Sequence, residues 1–105
     1  MVFQIGSTLL DACVLAVLSK GDQYGYTLTQ QVENVLDVSE STLYPVLRRL
    51  QKDNSLETYD EPYQGRNRRY YRITEQGREK FRMYQNEWIT FKSTVSGLLE
   101  DSVNG

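Results

Sequence analysis

The chain contains no histidine, one cysteine and only two prolines, and these shortages exclude several classes of function. Without histidine there is no imidazole for a catalytic triad, a proton shuttle or a metal site. Cys13 alone cannot form an intramolecular disulfide or a multi-cysteine zinc site, and its apolar neighbours predict a buried structural thiol. No glycine-rich phosphate loop and no carboxylate pair in an evident cleft are recognisable either. We therefore expect a protein that is not an enzyme and needs neither cofactor nor metal.

Long hydrophobic stretches are also missing. The longest apolar run, from Leu9 to Leu18, is too short to span a bilayer and contains Asp11. No lysine or arginine precedes it, which argues against a signal peptide. We therefore expect a cytoplasmic protein without membrane contact. A chain of 105 residues forms one small domain, and small domains gain core by oligomerising.

The charge is distributed unevenly along the chain. The net charge is −2, but residues 48–82 hold ten of the twelve lysines and arginines and carry a net charge of +4. The rest of the chain carries −6. A basic region on an acidic body is typical of nucleic-acid binding, although exposed bases are also common on any solvated helix face. Whether these bases form a nucleic-acid-binding surface or only a solvated face depends on where they lie in the predicted helices and strands.

Hydrophobic periodicity predicts three helices in the first half of the chain. The first, roughly residues 6–20, is apolar on almost all sides, as in a central buried helix. The second, about residues 24–36, has a single apolar stripe. The third follows a turn at residues 37–41 that is rich in helix-capping residues, and we expect Pro45 near its start. It ends at residues 52–54, where Asn54 can take a left-handed conformation.

Alternating residues then predict a β-hairpin. Residues 56–61 and 69–74 have strand patterns, and the turn-forming residues 62–68 between them predict a loop with a basic tip. The alternation places one of Tyr70 and Tyr71 inward and the other outward. Thr74 can cap a last helix over about residues 75–100.

The last helix carries the clearest pattern of the chain. Its apolar residues are spaced 3, 4, 3, 4 and 3 apart, at Phe81, Tyr84, Trp88, Phe91, Val95 and Leu98. This spacing is the seam of a coiled coil, so we expect a homodimer with twofold symmetry. Trp88 belongs either to the dimer core or to a slot that binds flat aromatic ligands by stacking.

The elements together predict a mainly α fold, a winged helix-turn-helix with a β-hairpin wing. Residues 1–74 would form the DNA-binding domain, and residues 75–105 a dimerisation helix with a short tail. Such a domain places the start of its third helix in the major groove of double-stranded DNA and its wing beside the groove. The candidate DNA contacts are Glu40, Ser41, Thr42, Tyr44, Arg48, Arg66, Asn67, Arg68 and Arg69.

Three motifs also resemble those of the PadR family of bacterial transcriptional regulators. They read YGYTL at 24–28, STLYPVLRRL at 41–50 and GRNRRYYRITEQG at 65–77. The resemblance implies a homodimeric repressor that binds a palindromic operator and is released by a small molecule. In similar compact members a tryptophan at the position that Trp88 matches stacks on flat aromatic drugs. Two alternatives remain at this point: a winged helix that binds only proteins, and a DNA-binding regulator without a ligand.

Overall fold

The fold is mainly helical, with a small antiparallel sheet. A computed structural model describes residues 3 and 5–104, and their side chains as far as residue 100. The outermost positions of the two predicted domains, residues 1, 2 and 105, lie outside the described residues, as does residue 4. In chain order the elements are α1 (Ser7–Ser19), β1 (Gln23–Tyr24), α2 (Gly25–Leu36), α3 (Glu40–Lys52), β2 (Leu56–Tyr63), β3 (Arg66–Ile73) and α4 (Glu75–Asn104).

The core lies between the first three helices and the base of the hairpin. It consists of leucine, valine and isoleucine side chains at Leu10, Val14, Leu15, Leu18, Leu28, Val32, Leu36, Leu43, Val46, Leu47, Leu50, Leu56 and Ile73. The predicted central position of α1 is confirmed, because it contacts α2, α3, α4 and β3. Cys13 was predicted to be buried but is half-buried at the border of this core. Desolvation raises the pKa of its thiol, which keeps it protonated and unreactive at neutral pH.

The sequence predicted the C-terminal end of α3 correctly but not the details of its N-terminal half. Asn54 has a φ of 65° just beyond the last turn, as predicted. Ser39 occupies the N-cap position, but its hydroxyl makes no capping bond. Pro45 was predicted near the helix start and instead lies in the second turn. Pro45 and Ser41, whose carbonyl loses a helix bond to the proline, are both exposed, so water can replace the missing bond.

The hairpin is longer than the sequence predicted. Its strands run to Tyr63 and from Arg66, so the seven-residue loop predicted at 62–68 is wrong. Only Gln64 and Gly65 form the turn, and both have positive φ, 51° and 79°. This backbone is that of a two-residue type I′ turn, which matches the twist of the flanking strands. The strands could not be followed to their ends in the sequence because their outer halves are polar on both faces.

A third strand, β1, completes the sheet in the order β1-β3-β2. Two residues give no periodicity, and so β1 was not predicted. Tyr24 of β1 and Tyr59 of β2 both pair with Tyr70 of β3. Paired residues share a face, so the three tyrosines lie together on one side of the sheet. The half-buried Tyr71 packs against the core on the other, inner side, which places Tyr70 on the outer face. The predicted opposite orientation of these two tyrosines is confirmed.

The first turns of α4 are fixed to the turn between α3 and β2. As predicted, Thr74 caps α4: its hydroxyl accepts a hydrogen bond from the Gly77 amide at 3.0 Å. A Cβ on Gly77 would lie 2.1 Å from the Ser55 carbonyl oxygen, so only glycine fits this approach. Lys80 forms an ion pair with Asp53, with 2.7 Å between Nζ and Oδ2. Beyond this joint α4 projects from the domain, and the molecule measures 61 × 27 × 20 Å.

Within the part of the chain that the structure describes, no helix combines the length and the apolar character needed to cross a membrane.

Candidate nucleic-acid interface

A cleft of about 920 Å³ separates α3 from the inner face of the hairpin. It is lined by Tyr24, Gly25, Tyr26, Glu40, Tyr44, Arg48, Gln51, Asp60, Asn67, Arg69 and Tyr71. Five of the nine candidate DNA-binding residues therefore meet in one place: three from α3 and two from β3. The cleft is open to solvent and polar at its rim, as a surface that receives a nucleic-acid backbone or groove edge must be.

The α3 side of the cleft is one face of the helix. Glu40, Tyr44, Arg48 and Gln51 are spaced 4, 4 and 3 residues apart and so project from the same side. Leucines at 43, 47 and 50 bury another side in the core and hold this face outward. Gln51 was missed in the sequence, although its position one turn after Arg48 was a usable signal.

Ser41 and Thr42 lie on the exposed first turn of α3, outside the lining of the cleft. Their hydroxyls form a small cluster with the Ser39 hydroxyl, at oxygen–oxygen distances of 2.8 and 3.2 Å. The cluster surrounds the helix N-terminus, whose amide groups carry partial positive charge. Such hydroxyls can donate hydrogen bonds to a phosphate that approaches this end of the helix.

Two neighbouring arginines of α3 have different environments. Arg49 forms an ion pair with the buried Asp11 of α1. Desolvation raises the pKa of Asp11, and the hydrogen bond and charge of Arg49 oppose this rise. Arg48 is exposed in the cleft and has no carboxylate partner among the described residues. Arg49 therefore stabilises the fold, and Arg48 is available to an anionic ligand.

The wing side of the cleft is formed by alternate residues of β3. Asn67, Arg69 and Tyr71 share the inner face, with Tyr71 half-buried at the back. Desolvation raises the pKa of Tyr71, so its hydroxyl stays neutral and can donate a hydrogen bond. Gly25 lies close to this ring, since a Cβ there would be 3.2 Å from Tyr71 Cε2. Arg69 meets Asp60 only at 3.8 Å with both side chains exposed, an interaction of little energetic weight.

Arg66 and Arg68 lie on the outer face of the wing instead. The single basic tip predicted from the sequence is therefore wrong: strand alternation divides its bases between two surfaces. The guanidinium of Arg68 lies between two tyrosine rings, 3.6 Å from the centroid of Tyr63 and 4.4 Å from that of Tyr24. A shallow groove of about 450 Å³ beside it is lined by Tyr24, Tyr63, Gln64, Arg66, Asn67 and Arg68.

Arg72, further along the same outer face, is neutralised by acids. Its Nε donates to Glu57 at 2.8 Å, and its Nη1 lies 4.0 Å from Asp22. Asp22 also accepts a hydrogen bond from the Tyr59 hydroxyl at 2.6 Å. The basic character of the outer face is therefore confined to its distal half, around Arg66 and Arg68.

The apolar seam of α4 divides into two parts. Phe81 and Tyr84 are half-buried against the domain's own core. Trp88 and Phe91 are 47% and 61% exposed, and their ring centroids are 6.3 Å apart. Val95 is half-buried and Leu98 is exposed one heptad further on. An apolar surface therefore continues along α4 where the domain no longer covers it.

The sequence matches a family profile described as the transcriptional regulator PadR-like family, over residues 14–83. An uncharacterised protein of Lysinibacillus sphaericus is 32% identical over 96 residues, which cover 87% of this chain and 88% of that protein.

Solved structures show the same fold. A protein of Streptococcus mutans superposes with a TM-score of 0.87 at 37% identity, covering 95% of this chain and 94% of that one. A PadR-like transcriptional regulator of Bacillus cereus gives 0.79 at 33% identity, covering 87% and 91%. A PadR family regulator of Clostridium difficile gives 0.79 at 28% identity, covering 86% and 97%.

Proposed function

Because this chain belongs to the PadR-like family of DNA-binding transcriptional regulators, we propose that it is a homodimeric repressor. In this proposal it binds a palindromic operator and is released by a planar aromatic effector. The family's role in transcription regulation agrees with the expectation that the chain is not an enzyme. The observation that carries the proposal is the cleft in which Arg48, Arg69 and Asn67 converge from two elements.

The recognition step follows from the exposed face of α3. A helix fits the major groove, and Glu40, Tyr44 and Arg48 lie on the side that would meet base edges. An arginine can donate two parallel hydrogen bonds to guanine, and a glutamate can accept one from cytosine. Ser41 and Thr42 would donate to phosphates at the helix N-terminus. Arg69 and Asn67 would reach the backbone from the wing side of the same cleft.

Dimerisation is supported by the apolar surface of α4 beyond Tyr84. Trp88, Phe91, Val95 and Leu98 keep the heptad spacing, and in one protomer most of this surface faces solvent. Burial against the same helix of a second copy would continue the seam that Phe81 and Tyr84 begin. Two recognition helices would then meet half-sites about 10 base pairs apart, or a multiple of that.

Effector release is proposed to act through the same helices. Trp88 presents a large exposed aromatic surface, and a planar ring inserted between two copies would stack on it. The ligand must bind one dimer geometry more tightly than another, because equal affinity shifts no equilibrium. A changed separation of the α4 helices would then change the spacing of the recognition helices.

Selection from a pool of random 40-base-pair duplexes tests the DNA-binding proposal. We expect enrichment of an inverted repeat that the protein protects in footprinting. Replacing Arg48 with alanine should weaken binding to the enriched site by about tenfold or more, since the variant has no charged donor for a base or phosphate at this position. Arg82→Ala removes the same charge from the exposed side of α4 and should change affinity little.

A protein-interaction module would give the opposite result. No duplex would be enriched, and mixed-sequence DNA would not be shifted even at low salt. An enriched site without twofold symmetry would retain the DNA-binding function and remove the palindromic operator.

Tryptophan fluorescence tests the effector site, because Trp88 is the only tryptophan. We expect a planar anionic dye such as resorufin, whose charge disfavours intercalation into DNA, to quench it saturably and to release the enriched DNA. Trp88→Phe retains an aromatic ring for dimer packing but has no tryptophan signal, so the anisotropy of the dye's own fluorescence reads its binding, which should be weaker while the dimer persists. Quenching without release of DNA would separate dye binding from regulation and contradict the proposed induction.

A further inference from the structure

The outer face of the wing carries a stack of aromatic rings that crosses all three strands. Tyr59 of β2 stacks on Tyr70 of β3, with centroids 5.6 Å apart and planes inclined by 14°. Tyr70 in turn lies 6.0 Å from Tyr24 of β1. The Arg68 guanidinium continues the series from Tyr24, and Tyr63 closes it on the other side. The stack therefore runs from the base of the wing to the residue before its turn.

Strand register explains why Arg68 lies between these two rings. Tyr24 pairs with Tyr70 and Tyr63 pairs with Arg66, so each tyrosine is diagonal to Arg68 across a strand boundary. Long side chains on one face can reach such diagonal neighbours. The two rings thus approach Arg68 from opposite directions along the sheet.

The guanidinium adopts this position although a carboxylate stands nearby. Glu61 is directly opposite Arg68 on β2, which is the position of a cross-strand ion pair. Arg68 nevertheless makes no ion pair within the described residues. The tyrosine sandwich therefore determines where the charge lies, and it leaves that charge without a neutralising partner.

Stacking leaves the hydrogen-bonding capacity of the guanidinium intact. At 3.6 and 4.4 Å from the guanidinium carbon the two rings are at stacking distance, and rings that stack on its faces leave all five N–H donors pointing outward in its plane. The groove beside it is lined by Arg66, Gln64 and Asn67 and by no carboxylate. This chemistry suits a phosphodiester oxygen, which accepts charge-assisted hydrogen bonds from a planar fork.

We propose that Tyr24 and Tyr63 are positioning residues that hold Arg68 as a rigid donor to a phosphate of the DNA backbone. The inference rests on the DNA-binding function proposed above. It adds that affinity depends on two tyrosines that need not touch DNA themselves. Their effect is to remove the rotamer freedom that an exposed arginine would otherwise lose on binding.

A double-mutant cycle on a mixed-sequence 30-base-pair duplex at low salt tests this inference, because binding to phosphates does not depend on sequence. Arg68→Ala should weaken binding by about tenfold and lower the log–log salt slope by about 0.9 for each phosphate that is no longer neutralised. Tyr63→Leu keeps every charge and should still cost most of that affinity. In the Arg68→Ala background the same change should cost nothing further.

Three controls separate positioning from other roles of Tyr63. Tyr63→Phe keeps the ring and should bind as the unmodified protein does; weaker binding would mean that the hydroxyl itself contacts DNA. Tyr59→Leu removes a ring of the same face that lies over Arg72 and should leave affinity unchanged. The δ-proton resonances of Arg68 should show an upfield ring-current shift in the free protein that becomes smaller in Tyr63→Leu, where only the Tyr24 ring remains.

The outcomes distinguish this inference from the proposed function. If Tyr63→Leu weakens binding equally with and without Arg68, the ring acts on its own and the positioning role is wrong. If Arg68→Ala binds normally while Arg48→Ala does not, DNA binding stands and the positioning role fails. If the unmodified protein ignores duplex DNA, both fail. An Arg68 without a ring-current shift would overturn the inference whatever the affinities.

Discussion

The two halves of α4 share one heptad pattern but have opposite environments. In the first half Gly77 and Lys80 contact the α3–β2 turn, and Phe81 packs on the domain core. In the second half Trp88, Phe91 and Leu98 keep the spacing but are exposed. The same hydrophobic period therefore packs within the chain over one stretch and is largely exposed over the next. The hydrophobic period predicts which face of a helix is apolar, but the surrounding fold determines whether the same chain buries that face.

The same glycine-to-alanine change in each half should give the largest contrast. Gly77→Ala places a methyl group 2.1 Å from the Ser55 carbonyl oxygen, so backbone must move. We expect it to lower the free energy of unfolding by about 3 kcal/mol, at the upper end for overpacking. Gly97 is exposed and lies on the side of α4 opposite Trp88, so Gly97→Ala should raise helix stability by up to about 1 kcal/mol. Urea denaturation measures both, and equal effects would remove the distinction between the halves.

Two phenylalanines on the seam provide the second contrast. Phe81→Ala removes a ring from the core border and should cost about 2 kcal/mol of folding stability, less than a fully buried ring would. Phe91→Ala removes an exposed ring and should leave the fold intact while weakening self-association by about tenfold or more. Sedimentation velocity over a range of concentrations reads the second effect, and circular dichroism reads the first. A Phe91→Ala protein that dimerises normally would contradict the proposed seam.

The ion pair between Lys80, in the first half of α4, and Asp53 should make the stability of the fold depend slightly on pH. Desolvation raises the pKa of Asp53, but hydrogen bonds from Lys80 and Ser55 lower it more, and the net pKa is below 3.8. A lowered pKa means that the contribution of Asp53 is present above pH 3.8 and is lost as the pH falls through the folded value. Asp11 has a raised pKa, so its contribution runs in the opposite direction.

Replacing Asp53 with asparagine should therefore cost about 1 kcal/mol or less at pH 7 and progressively less below pH 4, because the pair is partly exposed. Chemical denaturation between pH 7 and pH 3 measures the difference from the unmodified protein. Glu79→Gln removes a carboxylate from an exposed position of the same helix and serves as the control. A difference that does not shrink in acid would mean that the Lys80–Asp53 pair does not fix the joint.

The helices, their core and the exposed face of α3 that lines the cleft could be predicted from the sequence because they depend on local periodicity. The division of the wing's bases into two surfaces could not, since it follows from a two-residue turn whose flanking residues are polar on both sides. The pairing of Arg49 with Asp11 joins residues 38 positions apart and has no local signal. The strand β1 has only two residues, and so the position of Tyr24 beside Arg68 depended on tertiary structure alone.

The close approach of Gly77 to the Ser55 carbonyl also fixes the start of α4 against the rest of the domain. With its base immobilised, α4 is a stiff lever, and about 30 Å of helix separate Gly77 from Leu98. A molecule that separated the far ends of two such helices by about 3 Å would rotate each helix by roughly 3° about its base. Because that base contacts the turn after α3, such a rotation would turn the first three helices and the wing together. Under the proposed effector mechanism, a small ligand that touches only α4 would thereby change the orientation of the DNA-binding surface.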